Sequence, residues 1–162
     1  MRHQIKYILL LTGILLTLAY IVSGGVLFSH IYIGVPDADG NLYAFRDDLR
    51  SQGWTLHLTL LTTAIAWVFA ILFYYIINSV NFDRWWNWFI VLGVSSALSA
   101  WGSITMLRTL MEELSPGLTD YYSSYLTPMA GWVALFTAIF FTIASFSCRW
   151  WSSNCRHTPF PQ

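Results

Sequence analysis

The feature that most constrains this 162-residue chain is a set of four long apolar runs, which cover most of its length. A transmembrane helix needs about 20 apolar residues, because each residue rises about 1.5 Å and the hydrocarbon core of a bilayer is about 30 Å thick. Each run holds between 23 and 25 residues. We therefore predict an all-α integral membrane protein with four transmembrane helices, at residues 5–28, 54–78, 86–110 and 126–148.

The connections between the runs are short, which favours an up-down bundle of four helices and a single membrane domain over residues 1–162. Thr127 and Pro128 suit an N-cap and a first helical position, so we expect the fourth helix to begin there. Residues 149–162 then form a short polar tail.

The longest connection, residues 29–53, lies between the first two runs. Its segments 30–35 and 42–45 are rich in residues that favour strands, and the residues between them are typical of a turn. A short helical stretch follows, and Gly53 is suited to ending it. We predict a small hairpin and a short helix in this loop.

The charged residues indicate which side of the membrane each loop occupies. Orientation follows the Lys and Arg residues of short flanking segments, which concentrate on the cytoplasmic side. The two termini and the loop at 79–85 carry five basic residues, against three on the opposite side. The five are Arg2, Lys6, Arg84, Arg149 and Arg156. We therefore predict both termini in the cytoplasm, with the protein in a plasma membrane or a bacterial inner membrane.

The start of the chain also resembles a signal peptide in having basic residues before an apolar stretch. The apolar region of a signal peptide is usually about 7–15 residues long, and this run is longer. We expect it to be retained as the first span.

Small residues recur at helical spacing in every run. Such residues let membrane helices approach one another closely. We expect all of them to pack in the bundle core. The packing stripes that contain them are Gly13, Thr17, Tyr20 and Gly24 in the first run; Thr59, Thr63, Ala66 and Ala70 in the second; Gly93, Ala97 and Ala100 in the third; and Ala130, Ala134 and Ala138 in the fourth.

Six of the nine tryptophans lie at the ends of the runs, where aromatic residues anchor membrane proteins at the interface. The other three, Trp67, Trp101 and Trp132, lie deeper. Their indole N–H groups need hydrogen-bond acceptors in an apolar setting. The hydroxyls of Thr63, Ser99 and Thr137 are candidate acceptors, and the rings either pack inside the bundle or contact a partner subunit.

Two histidines and one arginine are candidate cofactor-binding residues. His30 and His57 fall at the outer ends of the first two runs, where two facing imidazoles would suit axial haem ligation or a metal site. The alternative is two separate interfacial histidines. Arg108 lies about one turn inside the outer end of the third run, with Glu112 on the same helix face. It is either an anchor for an anionic quinone, lipid or partner group, or an arginine that reaches to the interface.

Cys148, Cys155 and His157 are weak candidates for a metal site at the cytoplasmic end. Their C-x6-C-x-H spacing matches no common zinc pattern. The alternative is two free thiols, which stay reduced in the cytoplasm. The residue pattern does not identify a cofactor.

The absence of carboxylates and lysines deep inside the runs argues against a coupled transporter, which usually carries an ionisable group near mid-membrane. The chain has no HExxH or phosphate-binding glycine loop, and no basic surface long enough for nucleic acid. We expect a non-catalytic tetraspan accessory or structural subunit of a larger membrane complex, in contact with lipids and with other subunits or further copies of itself.

Two alternatives remain open. One is a homo-oligomeric pore or membrane-disrupting protein, in which hydroxyls of the second and third runs line a water-filled path. The other is a small electron-transfer subunit that binds haem or quinone. Inward-facing hydroxyls would weaken the pore interpretation.

Overall fold

The structure is a computed structural model that describes residues 2–23, 28, 53–77, 84–114 and 119–152. Every regular element in these ranges is helical. The long helices are α1 (Arg2–Val22), α2 (Trp54–Ile71), α3 (Trp85–Leu114) and α4 (Thr119–Cys148).

Each long helix contains a segment that is long and apolar enough to cross a membrane. The four segments are Gln4–Val22, Trp54–Ile77, Trp85–Glu113 and Tyr125–Trp151. For the described residues, this confirms the prediction of an all-helical fold with four helices long and apolar enough to span a membrane. The predicted hairpin and short helix of the loop at 29–53 lie outside the described residues, as does most of the tail.

Helices α2 and α4 both change geometry at their carboxyl ends. A π-helical segment, Leu72–Ile77, continues α2, and a 3₁₀ turn, Arg149–Trp151, continues α4. The Tyr75 hydroxyl in the first segment donates a hydrogen bond to the Cys148 carbonyl, at 3.0 Å. The two irregular ends are therefore tied to each other.

The predicted start of the fourth helix is wrong, because α4 begins at Thr119 and Pro128 lies inside it. A proline has no N–H and cannot donate to the carbonyl four residues earlier. Neighbouring helices and side chains can satisfy a freed carbonyl in membrane proteins, which makes proline tolerable inside such helices. Local N-terminal preferences at Thr127 and Pro128 were therefore overridden by the longer helix.

Helix α4 is central and packs against the other three helices. Its side chains, together with those of α2 and α3, form most of the apolar core, to which Tyr20 of α1 and Phe28 also belong. Besides Phe28, the largest fully buried residues are Leu58 in α2, Phe73 and Tyr74 in the π-helical segment after it, Leu107, Leu110 and Met111 in α3, and Tyr125, Met129, Val133 and Phe141 in α4.

The predicted packing residues of α1 and α2 that the structure describes are buried, whereas Gly24 lies outside the described residues. In α1, Gly13 lies against Ser147, and a Cβ built on this glycine would lie 3.1 Å from the Ser147 Cβ and in steric overlap with its hydroxyl. In α2, Thr59 and Ala66 are among the buried small residues. These glycine, alanine and threonine positions let α1 and α2 approach their neighbours closely.

In α3 the prediction is wrong, because Gly93 and Ala97 are exposed. The buried face of α3 carries Ser95, Ser99 and Ser103 instead. Both sets are small and spaced by four residues, so both permit close packing. These three serine hydroxyls can be buried without cost because each donates to a carbonyl of its own helix.

Candidate functional site

Buried hydroxyl groups line the inner faces of α2 and α3. The buried residues are Thr55, Thr59, Thr62 and Thr63 in α2 and Ser95, Ser99 and Ser103 in α3. Most of these side chains donate to a carbonyl three or four residues earlier in their own helix, at 2.7–3.2 Å. Most of the hydroxyls predicted for a water-filled path therefore turn into the single bundle and are bonded there. The predicted Ser96 hydroxyl differs, because Ser96 is half-buried and has no hydrogen-bond partner among the described residues.

Other polar side chains join one helix to another. The Trp67 indole N–H in α2 donates to the Thr17 hydroxyl in α1, at 3.0 Å. In the pair formed by α3 and α4, the Thr137 hydroxyl donates to that of Ser99, at 2.7 Å. Interhelical hydrogen bonds of this kind contribute on average about 0.6 kcal/mol each in a membrane. They fix which helix faces meet.

The acceptor of the Trp67 indole is Thr17, which is not one of the three candidate acceptors named from the sequence. Ser99 and Thr137, two of those candidates, bond to each other. Trp101 and Trp132 are exposed. The hydroxyl of Thr17 was missed because helix pairing is not encoded in any one run, although its spacing from Gly13 placed it on the packing face.

The outer face of α1 is mainly aliphatic, with Gln4, Tyr7 and Thr12 as its exposed exceptions. Ile8, Leu11, Leu15 and Leu18 are all at least half exposed. Leucine and isoleucine on a membrane helix are suited to contact with lipid chains, which are as apolar as these side chains.

The outward face of α3 has a different composition. We call it the α3 outer face, and it consists of Trp86, Ile90, Gly93, Ala97, Trp101 and Arg108, all of them exposed. A Cβ built on Gly93 would have nothing within 4 Å. Gly93 and Ala97 thus leave a shallow notch in the helix surface, with large side chains on either side of it.

Trp101 is the most exposed tryptophan on this face, at 66%. It lies near the middle of the apolar segment Trp85–Glu113. Tryptophan is enriched at the membrane interface rather than at mid-membrane, because its N–H needs a polar partner. An exposed indole at this depth is therefore unusual for a lipid-facing position.

Arg108 and Glu112 lie at the outer end of the same face, and both are exposed. Although their spacing permits an ion pair within the helix, neither side chain has an ion-pair partner in the described part of the chain. Arg108, predicted as an anchor for an anionic group, is therefore accessible from outside the bundle.

His57 lies in the first turn of α2 and is exposed. Its Nδ1–H donates to the Gly53 carbonyl at 3.1 Å, and its ring lies 5.2 Å from that of Trp54. Its predicted companion, His30, lies outside the described residues, so the haem or metal site formed by these two residues stays a prediction. Among the described residues, no group of three or more His, Cys, Asp or Glu side chains comes close enough to hold a metal ion.

Cys148 is buried at the end of α4 as a free thiol. The neighbouring Arg149 guanidinium lies over the rings of Phe146 and Trp150, at 5.0 and 4.4 Å from the ring centroids. Cys155 and His157 lie outside the described residues. The metal site predicted from these three residues therefore also stays a prediction.

Two shallow grooves of about 340 and 290 Å³ lie between α1 and α2. Thr17 and Trp67 border both grooves, and the remaining lining is mainly aliphatic. Because the Trp67 N–H is already bonded to Thr17, the grooves offer an apolar surface suited to a hydrocarbon chain.

Comparisons with protein-family models, with curated proteins and with solved structures find no match to this chain.

Proposed function

We propose that the protein is a non-catalytic tetraspan subunit of a larger membrane complex, and that the α3 outer face is where it meets another transmembrane helix. The observation that supports this proposal is the residue composition of that face. It combines a notch at Gly93 and Ala97 with an exposed mid-membrane Trp101 and an Arg108 that makes no ion pair in the described chain. The α1 face, by contrast, carries aliphatic side chains suited to lipid.

The small and polar components of the α3 outer face are more stable against protein than against hydrocarbon, whereas Ile90 suits either. Small residues permit close helix contact, which increases dispersion between helices. An indole N–H and a guanidinium are costly to expose to lipid without acceptors. A second helix offers both a matching surface and polar partners.

We further propose an up-down arrangement of the four helices, with both termini cytoplasmic and the loop at 29–53 outside. Contacts between α1 and α4 support it, because residues early in α1 meet residues late in α4. Tyr7 lies 5.9 Å from Trp151, and Tyr20 lies 4.4 Å from Phe140, measured between ring centroids.

The same reversed order holds between α3 and α4, where Trp88 bonds to Ser145 and Ser99 to Thr137. The basic residues of the termini and the loop at 79–85 support the cytoplasmic assignment.

The buried hydroxyls favour this function over a homo-oligomeric pore. A water-filled path on a symmetry axis needs polar groups on the outside of each bundle. In α2 and α3 most of the hydroxyls deep in the apolar segments face inward and donate to helix carbonyls.

The test compares two identical substitutions on exposed alanines. Ala97→Phe fills the notch of the α3 outer face, and Ala19→Phe adds the same bulk to the exposed side of α1. We expect native gel electrophoresis of mild-detergent extracts to show a high-mass complex for the wild type and Ala19→Phe, and a smaller species for Ala97→Phe. Equal migration of all three at the mass of the single chain would contradict the proposal.

A further inference from the structure

We propose that the helix bound at the α3 outer face is the α3 helix of a second copy of this chain, in a parallel two-fold dimer. The inference rests on the proposed function, because it names the occupant of the face through which the subunit assembles. Other subunits of the complex would then bind elsewhere on the dimer.

The membrane sets the relative direction of the two helices. Copies inserted by the same charge rule share one orientation. Two α3 helices that meet by the same face are therefore parallel, and each residue lies at the depth of its counterpart. A two-fold interface of this kind is self-complementary, so any residue of the face meets the same set of residues on the partner.

The notch and the bulky side chains of the face fit each other. Helical side chains lean toward the amino end of their helix. The Trp101 ring of one copy therefore lies at the level of Ala97 and Gly93 of the other, where the surface is open. A small crossing angle of about 20° keeps the two helices adjacent along their length.

The charges are also self-complementary. Every copy carries Arg108 and Glu112 one turn apart, and neither has an ion-pair partner in the described part of its own chain. In a parallel pair, Arg108 of one copy and Glu112 of the other lie one helical turn, about 6 Å, apart in depth, and the long arginine side chain spans this separation. The dimer therefore forms two reciprocal arginine–carboxylate pairs, which are strong charge-assisted contacts. A helix of another protein would have to supply its own carboxylate at this depth.

The first test is disulfide cross-linking in native membranes, using the full chain with Cys148→Ala and Cys155→Ser. Ala97→Cys places a thiol on the proposed two-fold contact, and Ala19→Cys is the matched control on α1. A disulfide forms only when the two Cα atoms lie about 4.4–6.8 Å apart. We expect a product of two copies of this chain, identified by mass spectrometry, for position 97 and none for position 19.

The second test exchanges the charges. Arg108→Glu places like charges together, and we expect it to weaken dimerisation about tenfold, which corresponds to ~1.4 kcal/mol. Arg108→Glu combined with Glu112→Arg exchanges the two charges, so both interhelical ion pairs can form again and the dimer should be restored. The readout is energy transfer between labelled copies at a series of lipid-to-protein ratios.

Several outcomes would overturn the inference while leaving the proposed function intact. One is a position-97 product that contains another protein. Another is a double variant that dimerises as weakly as Arg108→Glu. If Arg108 paired with a carboxylate of another protein, Glu112→Arg would not restore that contact. The absence of a product at position 97, with dimerisation unaffected by either charge variant, would also overturn it. If the wild-type protein in mild detergent had the native mass of a single chain, that result would contradict the proposed function itself.

Discussion

Individual hydroxyl and indole groups decide which helix faces meet in this apolar bundle. Leucine and isoleucine interact with lipid tails about as well as with each other, so they do little to fix the rotation of a helix about its axis. The bond from Trp67 to Thr17 and the bond between Thr137 and Ser99 each need one particular rotation of both helices. Polar side chains thus provide specificity that the apolar surface lacks.

The contact of Trp67 with Thr17 should be measurable as stability. Thr17→Val keeps the side-chain shape and removes the acceptor, so we expect the free energy of unfolding to fall by about 1 kcal/mol. Thr12→Val is the control, because Thr12 is exposed and bonds only to the Ile8 carbonyl. Unfolding titrations in mixed micelles give the values, and a double-mutant cycle with Trp67→Phe should show coupling. Equal losses for both threonine variants would contradict the assignment.

Gly13 and Gly93 should respond oppositely to the same change. Gly13→Ala places a methyl group against Ser147, where overpacking costs about 1–3 kcal/mol. Gly93→Ala meets no neighbour within the chain, and it gains up to about 1 kcal/mol from helix propensity. Thermal unfolding of the monomeric protein in detergent compares them. A lower midpoint for Gly93→Ala than for Gly13→Ala would be inconsistent with the packing.

At the scale of elements, the carboxyl end of α2 depends on a contact with α4. Tyr75→Phe removes the hydrogen bond to the Cys148 carbonyl. We expect faster amide hydrogen exchange across Leu72–Ile77 and Arg149–Trp151, because local opening there loses one stabilising contact. Tyr7→Phe is the control, since Tyr7 contacts Trp151 through its ring. Unchanged exchange in Tyr75→Phe would show that this bond does not hold the two ends together.

The existence of the four helices was predictable because the length of an apolar run is a local property of the sequence. In helix α3, the sequence did not predict which face is buried. Gly93 and Ala97 form one small-residue face, and Ser95 and Ser99 form another on the opposite side. Local spacing does not choose between them, because the choice depends on the helices against which α3 packs.

The candidate site was predictable only in its parts. Arg108 stood out because a charge near the end of an apolar run is rare, and Trp101 because of its depth. Their place on one outward face with Gly93 required the rotation of α3 in the bundle. The start of α4 shows the same limit, since Pro128 signals a helix start locally and lies inside the helix that tertiary packing stabilises.

For the whole molecule, the predicted orientation has a direct consequence for thiol labelling. Cys148 is buried, so labelling by a membrane-impermeant maleimide should report on Cys155 in the tail. We expect label only after the membrane is permeabilised, and none in Cys155→Ser. Asn41→Cys, introduced in the outer loop of the Cys155→Ser chain, should react in intact cells. The reverse pattern would mean that the bundle is inserted the other way round.

The central claim is that the molecule acts as a subunit, through the surface it offers to other transmembrane helices. Native mass spectrometry of the wild-type protein, extracted from its own cells in a mild detergent, measures the assembly directly. The account predicts a complex with other proteins at fixed stoichiometry, containing two copies of this chain. A closed ring of this chain alone, or a monomer, would contradict it.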